Sequence, residues 1–533
     1  MSNISRRNFI GMSGAAAAAF GLAACGGGSS SGGDAGSATT IEGTEGGGVI
    51  TVGTSYATEN YHPSTTSSAL SLGTNWHVVE GLYGMDFHDY TVRNELATGD
   101  PVQVDETTYE ISIREGAKYS DGTDVTVEDV ISSFGRTTAE GSLYIPFLSA
   151  IDSLEKKDDT TITVKVNIPN FSLLKERLSI VRVVQTDASD DDLTAMPIGS
   201  GPWAYESIDE SLVKFVPNEY YNGDVEVKDT AMEYHVLVDD TARTTAQQEG
   251  TTLVMENVPA DTADQIEAAG CRMDTVQGFA TCYFMFDVAK EPWNNVKVRQ
   301  AVLYALDMDT IITNALGGKA APATCFLPDN FANYHEASTV YTYDPDKAKA
   351  LLEEAGVTPG SMVLSTTDHG WIATMAATIQ QNLEAIGFTC EINSQQTSAM
   401  FADIDQGANT YDIAVGPGDP SCWGNDPDLL MNWWFGDNVW MQTRCPWKDS
   451  DEWKQLNELM TTALGQTGDE QQATWNECFD ILADNVPLYL PLHKQVVTAS
   501  WSETTTNEGV GIQNFEGIGT TGVYTLDAYT VTE

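Results

Sequence analysis

Basic residues are scarce in this chain. It sets 26 Lys and Arg against 77 Asp and Glu over 533 residues, a formal charge of -51 at pH 7. Removing the first 24 residues, which hold Arg6 and Arg7 and no acid, lowers the charge by two to -53. Such a surface repels a polyanion, so nucleic acid is excluded as a partner. The acidic excess reads first as a solvated surface, with salt adaptation as one variant, and second as a preference for cationic solutes.

Metal and catalytic signatures are missing too. The eight cysteines (Cys25, Cys271, Cys282, Cys325, Cys390, Cys422, Cys445 and Cys478) include no CxxC pair, and the seven histidines are dispersed, so neither a metal site nor a cofactor is expected. There is no GxSxG, no HExxH and no phosphate-binding glycine loop with its lysine. Acid pairs are so common here that no carboxylate dyad stands out. An exported hydrolase is therefore the weakest function class, and no enzymatic activity is expected. Beyond the N-terminus, no stretch is apolar enough to span a bilayer.

What is present begins with export. Residues 5–10 read SRRNFI, and an apolar Gly/Ala-rich run continues to Ala24, the pattern of a secretory signal with twin arginines at Arg6 and Arg7. The run is short of the roughly 20 residues a transmembrane helix needs. It ends in LAAC, a lipobox-like sequence that makes Cys25 the expected lipidation site, where acyl chains add about 0.8 kcal/mol of membrane affinity per buried methylene. Residues 1–24 are thus expected to be a cleaved signal, and residues 25–48, rich in Gly and Ser, a flexible tether. The rest should lie outside the cytoplasm, extracellular or periplasmic, held to the cell membrane by its lipid.

The remaining length, with 41% hydrophobic residues, 12 Trp, 20 Tyr and 17 Phe, can bury more than one core. In TVEDVISSFG, Thr126 can cap a helix that places Val127, Val130, Ile131 and Phe134 on one face and closes at Gly135. In DPDKAKALLEEAG, Asp344 caps, Pro345 opens, Ala348, Leu351, Leu352 and Ala355 form the stripe, and Gly356 ends the helix. Residues 361–392 read as strand, helix, strand: SMVLSTT, a helical period through Ile372, Met375, Ala376, Ile379, Leu383 and Ile386, then alternating Phe388, Cys390 and Ile392. That is a βαβ unit, hence a parallel sheet, with a third strand from Tyr411.

Ligands of open α/β sheets sit beyond the carboxyl ends of the strands. Two such ends are the loops TTDHGW, closing at Trp371, and GPGDPSCW, closing at Trp423. Their polar, glycine-rich and aromatic character suits a crevice, although a tryptophan taken singly more often packs in a core. Of the histidines only His369 lies in such a loop, where a hydrogen-bonded structural role is the better fit.

Several separated stretches share a pattern: VVEGLYG from Val78, EISIREGAKYSDGTDVTVEDVISSF from Glu110, GSGPWAYES from Gly199, and VPNEYYNGD from Val216. KEPWNNVKVRQAVLYALDMDTI from Lys290, YDPDKAKALLEEAG, and NVPLYLP from Asn485 follow. In order and spacing the chain resembles the extracellular solute-binding proteins of peptide and nickel ABC importers, from about Asn75 to about Leu490. The resemblance implies an α/β fold of the two-lobed periplasmic-binding-protein type (type II), with hinge closure and an extra subdomain inserted in the first lobe. Lobe I is then 49–75 with 197–282 and 490–533, the inserted subdomain 76–196, and lobe II 283–489.

The resemblance also implies roles. In peptide-binding relatives an aspartate after the YD strand pairs with the ligand's amino group; Asp419, or less readily Asp426, is the candidate, although Asp419 ahead of Pro420 also fits a turn cap. Trp423 would supply an apolar wall, Tyr489 and Tyr144 would reach the pocket, and Ser67 and Ala69 would border it. Thr397 and Ser398 stand where relatives often carry a tryptophan, and the loop after the strand is about two residues longer. Cys282 and Cys422 resemble a pair that some members join as a disulfide, which export permits. The implied function is capture of a peptide or small-molecule ligand by a monomer that delivers it to an ABC permease and ATPase complex. A ligand-sensing lipoprotein of the same fold, or a carrier of metal chelates, amines or sugars, remains open at this level.

Overall fold

The computed structural model describes residues 44–532 apart from 141, 408–410, 503 and 504. The expected signal and the lipidation site Cys25 lie outside the described residues. Order starts earlier than the expected end of the tether: Thr44–Glu45 pairs antiparallel with Tyr529–Thr532, and the amide of Gly48 donates to Asp229 Oδ1 at 3.0 Å.

A twelve-stranded mixed sheet organises the chain. At one end, Val49–Thr54 runs parallel to both Ala231–Val236 and Val254–Met255. At the other, Ser361–Thr367 runs parallel to Thr389–Gln395 and to Ile413–Gly418. Two antiparallel strands join these groups. Arg272–Phe286 pairs with Leu492–Ser500 through its first residues and with Ile413–Gly418 through its last, and its register shifts between Gln277 and Thr281. The chain thus passes twice between the groups, and the local break in pairing sits at the passage. Gly278 is required there, because a Cβ would fall 1.4 Å from the carbonyl oxygen of Gly519.

The expected βαβ unit is present, with helix Gly370–Ala385 between the first two strands and Ile372, Met375, Ala376, Ile379 and Leu383 buried on one face. Helix Pro345–Glu354 starts as expected, with Asp344 accepting from the amide of Lys347 at 2.8 Å. The third strand is Ile413–Gly418, two residues later than the expected start at Tyr411; just before it the Asp412 carboxylate accepts from the indole of Trp293 at 2.8 Å and the amide of Val363 at 2.7 Å. Helix Val127–Thr137 opens with the Thr126–Asp129 capping box but runs past Gly135, whose φ is not positive, so nothing turns the backbone there.

Separate cores back the two strand groups. Ile50, Val52, Phe215 and Tyr234 belong to one, and Phe284, Val302, Leu364 and Ile413 to another. A third cluster spans the expected boundary of the inserted subdomain: Phe147 packs on Trp423 and Trp433, with ring centroids 5.6 and 6.1 Å apart. Residues 76–196 therefore share an interior with the later half of the chain.

Candidate functional site

The parallel strands of both groups point their carboxyl ends toward one region. From the first group come Ser55 and Tyr56, which follow Val49–Thr54, and Glu256 and Asn257, which follow Val254–Met255. Asp419 comes from the second, directly after Ile413–Gly418. Lys494 stands on the crossing strand Leu492–Ser500. Gly370, at the start of its helix, approaches Asp240, the carboxylate lying 4.0 Å from where a Cβ would be.

Arg243 ties the first group's loops together. Fully buried, its guanidinium donates to the carbonyls of Leu237 at 2.7 Å and Asn257 at 3.2 Å and to Asp240 at 2.6 Å. Asn257 adopts φ +48°, a left-handed conformation that asparagine tolerates better than most residues, and this turns its side chain to accept from Lys494 Nζ at 3.1 Å. Glu256, 4% exposed, accepts from the amide and hydroxyl of Ser55 through Oε1 alone, at 2.8 and 3.2 Å. Burial pushes the carboxyls of Glu256 and Asp419 up and the Lys494 ammonium down to about 8, which Asp419 and Glu256 partly counter. The Tyr56 phenol is raised by burial and then by the same two carboxylates.

Asp419 has all of its acceptor capacity engaged by the protein. Oδ1 accepts from the amide and hydroxyl of Ser421 at 3.1 and 2.5 Å, capping the turn Pro420–Trp423. Oδ2 accepts from the hydroxyl of Thr520 and the amide of Thr521, both at 2.9 Å, which fastens this loop to the C-terminal segment. Asp426 is equally committed. It caps helix Pro427–Phe435 and, with Asp428, receives three bonds of 2.7–2.8 Å from Arg177, a guanidinium only 1% exposed.

The Pro420–Trp423 turn, through Cys422 and Trp423, helps to line a small cavity of about 20 Å³ with Leu72, Trp76, Phe87, Tyr144 and Arg182 among others. It has room for about one water molecule. Two expected residues meet here: the rings of Tyr144 and Trp423 are edge-on with centroids 5.7 Å apart, and the Tyr144 hydroxyl donates to the carbonyl of Thr66. Arg182 is held by Glu95 at 3.0 Å. Ser67 and Ala69 follow Thr66 in sequence, but neither lines the cavity. Neither Trp371 nor Tyr489 lines this cavity: Tyr489 is buried in the core of the second strand group, against Tyr341 at 5.2 Å, and half-buried Trp371 packs on the outside of that core. Tyr489 sits beside apolar strands that offer it burial, which a large ring gains more from than from a wet crevice. His369 bonds Thr367 Oγ1 at 3.2 Å in a structural role. Cys282 and Cys422 are both free thiols in different cores, and Cys422 Sγ donates to the Asp419 carbonyl at 3.5 Å.

Tyr56, Arg182, Arg243, Glu256 and Lys494 carry no sequence motif. One signal was available for Lys494: in LPLHKQVVTAS it is a rare base inside an apolar strand.

A family model described as bacterial extracellular solute-binding proteins, family 5, middle region, matches residues 91–442. Among curated proteins, the glutathione-binding protein GsiB of Salmonella typhi is 25% identical over 473 residues, covering 86% of this chain and 91% of that one. Among solved structures, a dipeptide-binding protein from Pseudoalteromonas sp. SM9913 in complex with Met-Leu superposes with a TM-score of 0.78 at 18% identity, covering 90% of this chain and 99% of that one. The binding protein AgaA from A. tumefaciens R10, in complex with agropinic acid, gives 0.78 at 22%, covering 90% and 96%. These likenesses show the fold, that of type II periplasmic binding proteins. No helix among the described residues is long and apolar enough to cross a membrane.

Proposed function

We propose that this chain, which belongs to the bacterial extracellular solute-binding proteins of family 5, captures a peptide or related amine-bearing solute where its two strand groups converge. It then hands the solute to the permease and ATPase subunits of a membrane importer. The observation that carries the reading is the convergence itself: strand ends from both groups, joined by two crossing strands, bring Glu256 and Asp419 near enough to act on the charge of Lys494, and the turn after Asp419 lines an aromatic cavity through Cys422 and Trp423. Glu256 is the carboxylate assigned to the ligand's ammonium, since one of its oxygens is held by Ser55 and the other is unengaged, whereas Asp419 keeps the loop in place. Tyr144 and Trp423 wall the apolar part of the ligand.

The two lobes are the strand groups with their cores, and separation about the crossing strands near Gln277–Thr281 opens a cavity that is too small for a peptide as it stands. The protein acts as a monomer, outside the cytoplasm, on a lipid at Cys25. No chemical step on the solute is assigned to the site. A thermal-shift screen of the purified protein against dipeptides, oligopeptides, glutathione, amines, metal chelates and sugars tests the reading, because a ligand at 100 times its Kd stabilises by about 2.7 kcal/mol. A peptide or glutathione should raise Tm; a shift with sugars or chelates alone would refute the assignment.

A further inference from the structure

We infer that Arg177, Asp426 and Asp428 form a clasp between the two walls of the aromatic cavity, and that a solute enters and leaves only when this ion cluster parts. The inference rests on the solute-binding reading and deepens it by naming the contact that gates the site.

The cavity has walls of separate origin. Ser179, Ile180 and Arg182 line it from one segment, Cys422 and Trp423 from another. The first segment is tied to the first strand group: the amide of Val183 donates to the carbonyl of Glu80 at 2.8 Å, and Val184 lies in the core with Ile50 and Val52. The second leaves the second strand group at Gly418. Helix Pro427–Phe435, which follows, stays against that group, since a Cβ at Gly418 would fall 2.7 Å from the Trp434 indole. Arg177 stands two residues before Ser179, on the short helix Leu174–Leu178, and Asp426 and Asp428 stand at the start of Pro427–Phe435. Their three bonds of 2.7–2.8 Å therefore join wall to wall. A cavity with room for about one water admits a solute only if these walls separate, and separating them breaks the cluster.

The chemistry suits a contact with two positions. Arg177 and Asp428 are buried, and two carboxylates face one guanidinium, so the cluster holds a net negative charge out of water. Attraction offsets the desolvation only in good hydrogen-bonding geometry, so a half-parted cluster has lost the attraction before water reaches the charges. Fully parted, all three groups are hydrated. Asp419 fastens the same segment on the other side of Trp423, through Thr520 and Thr521. The stretch that holds those threonines is anchored to the first group, where the Tyr234 hydroxyl donates to the Val523 carbonyl at 3.2 Å. Tyr144 and Phe147 pack on Trp423 between the two fastenings, and opening forfeits that packing.

The competing role for Arg177 is a fixed ion pair inside an interface that never parts, and the two roles differ in molecular shape. Small-angle scattering of the purified protein and of Arg177→Met, without added solute, is the test. With the guanidinium gone, two like charges stay buried only while the walls stay together, so Arg177→Met should have the larger radius of gyration. The triple change with Asp426→Asn and Asp428→Asn removes the charges and should return it to the unaltered value. Arg177→Lys keeps the charge but cannot fork to two carboxylates; it should fall between, and it decides the matter if Arg177→Met does not fold. Because only the closed fraction retains solute, Met-Leu should leave Arg177→Met at least about tenfold faster in stopped-flow mixing. An unchanged radius of gyration in the Arg177 variants, with stability lowered, overturns the clasp and leaves the solute-binding reading standing. Failure of Met-Leu to bind the unaltered protein overturns the peptide reading, while the scattering comparison still decides the clasp.

Discussion

Replacing Asp419 by Asn separates a loop-fastening carboxylate from a ligand-binding one. The wild-type side chain accepts four hydrogen bonds, two of them from the backbone amides of Ser421 and Thr521. An Asn has one acceptor oxygen, so whichever way the amide turns, one of those backbone N–H groups faces an NH2 instead. The hydroxyls of Ser421 and Thr520 can rotate to accept from that NH2; the backbone cannot. The loss is therefore about one hydrogen bond to a charged acceptor plus an orphaned buried donor, about 1.5–3 kcal/mol. Urea unfolding followed by tryptophan fluorescence should show a lower midpoint at unchanged slope. Peptide affinity should fall by the same factor for Met-Leu and N-acetyl-Met-Leu, since the ammonium sits at Glu256. A stability change below about 0.5 kcal/mol, together with a loss of more than tenfold confined to the free-amine peptide, would refute this reasoning and return the ammonium to Asp419.

Other perturbations probe neighbouring features. Arg177→Met strips the counter-charge from Asp426 and Asp428 and should cost about 3–5 kcal/mol in urea unfolding, whereas the triple change with Asp426→Asn and Asp428→Asn should recover most of it, because Asn still caps the helix; equal losses would show that the charges are not the cause. Gly135→Ala should stabilise by about 0.5–1 kcal/mol, since the residue is helical and a Cβ there meets nothing within 4 Å; a lower Tm would contradict the helix running past it. Affinity for Met-Leu should decline as pH rises above about 8, where the peptide's own α-ammonium loses its proton, and the decline should be absent for N-acetyl-Met-Leu, which has no amine; identical profiles would remove the ammonium from the site.

Local order was legible where short-range chemistry decides the outcome. The Thr126 and Asp344 caps, the 3.6-residue apolar periods and the strand–helix–strand run over 361–392 each depend on neighbours a few residues apart, and the structure follows them. Even so, Gly135 shows the limit of such signals: a glycine ends a helix only when the backbone turns left-handed, and here it does not.

The sequence by itself determined that the chain is acidic, that its described part is a mixed α/β sheet protein, and that the loop ending in Trp423 lies at the end of a strand. Only the tertiary structure decided which groups share the crevice. Glu256 and Lys494 are far apart in the chain and come near because Val254–Met255 pairs with the crossing strand Leu492–Ser500, and Asp419 reaches the same region because Ile413–Gly418 pairs with the other crossing strand. It also decided what each carboxylate is free to do. Asp419, Asp426 and Asp412 look alike in sequence, but each is saturated by donors from distant segments, Thr520 and Thr521, Arg177, and Trp293 with Val363. A carboxylate's availability depends on which donors surround it in space, and that information exists only after the chain has folded.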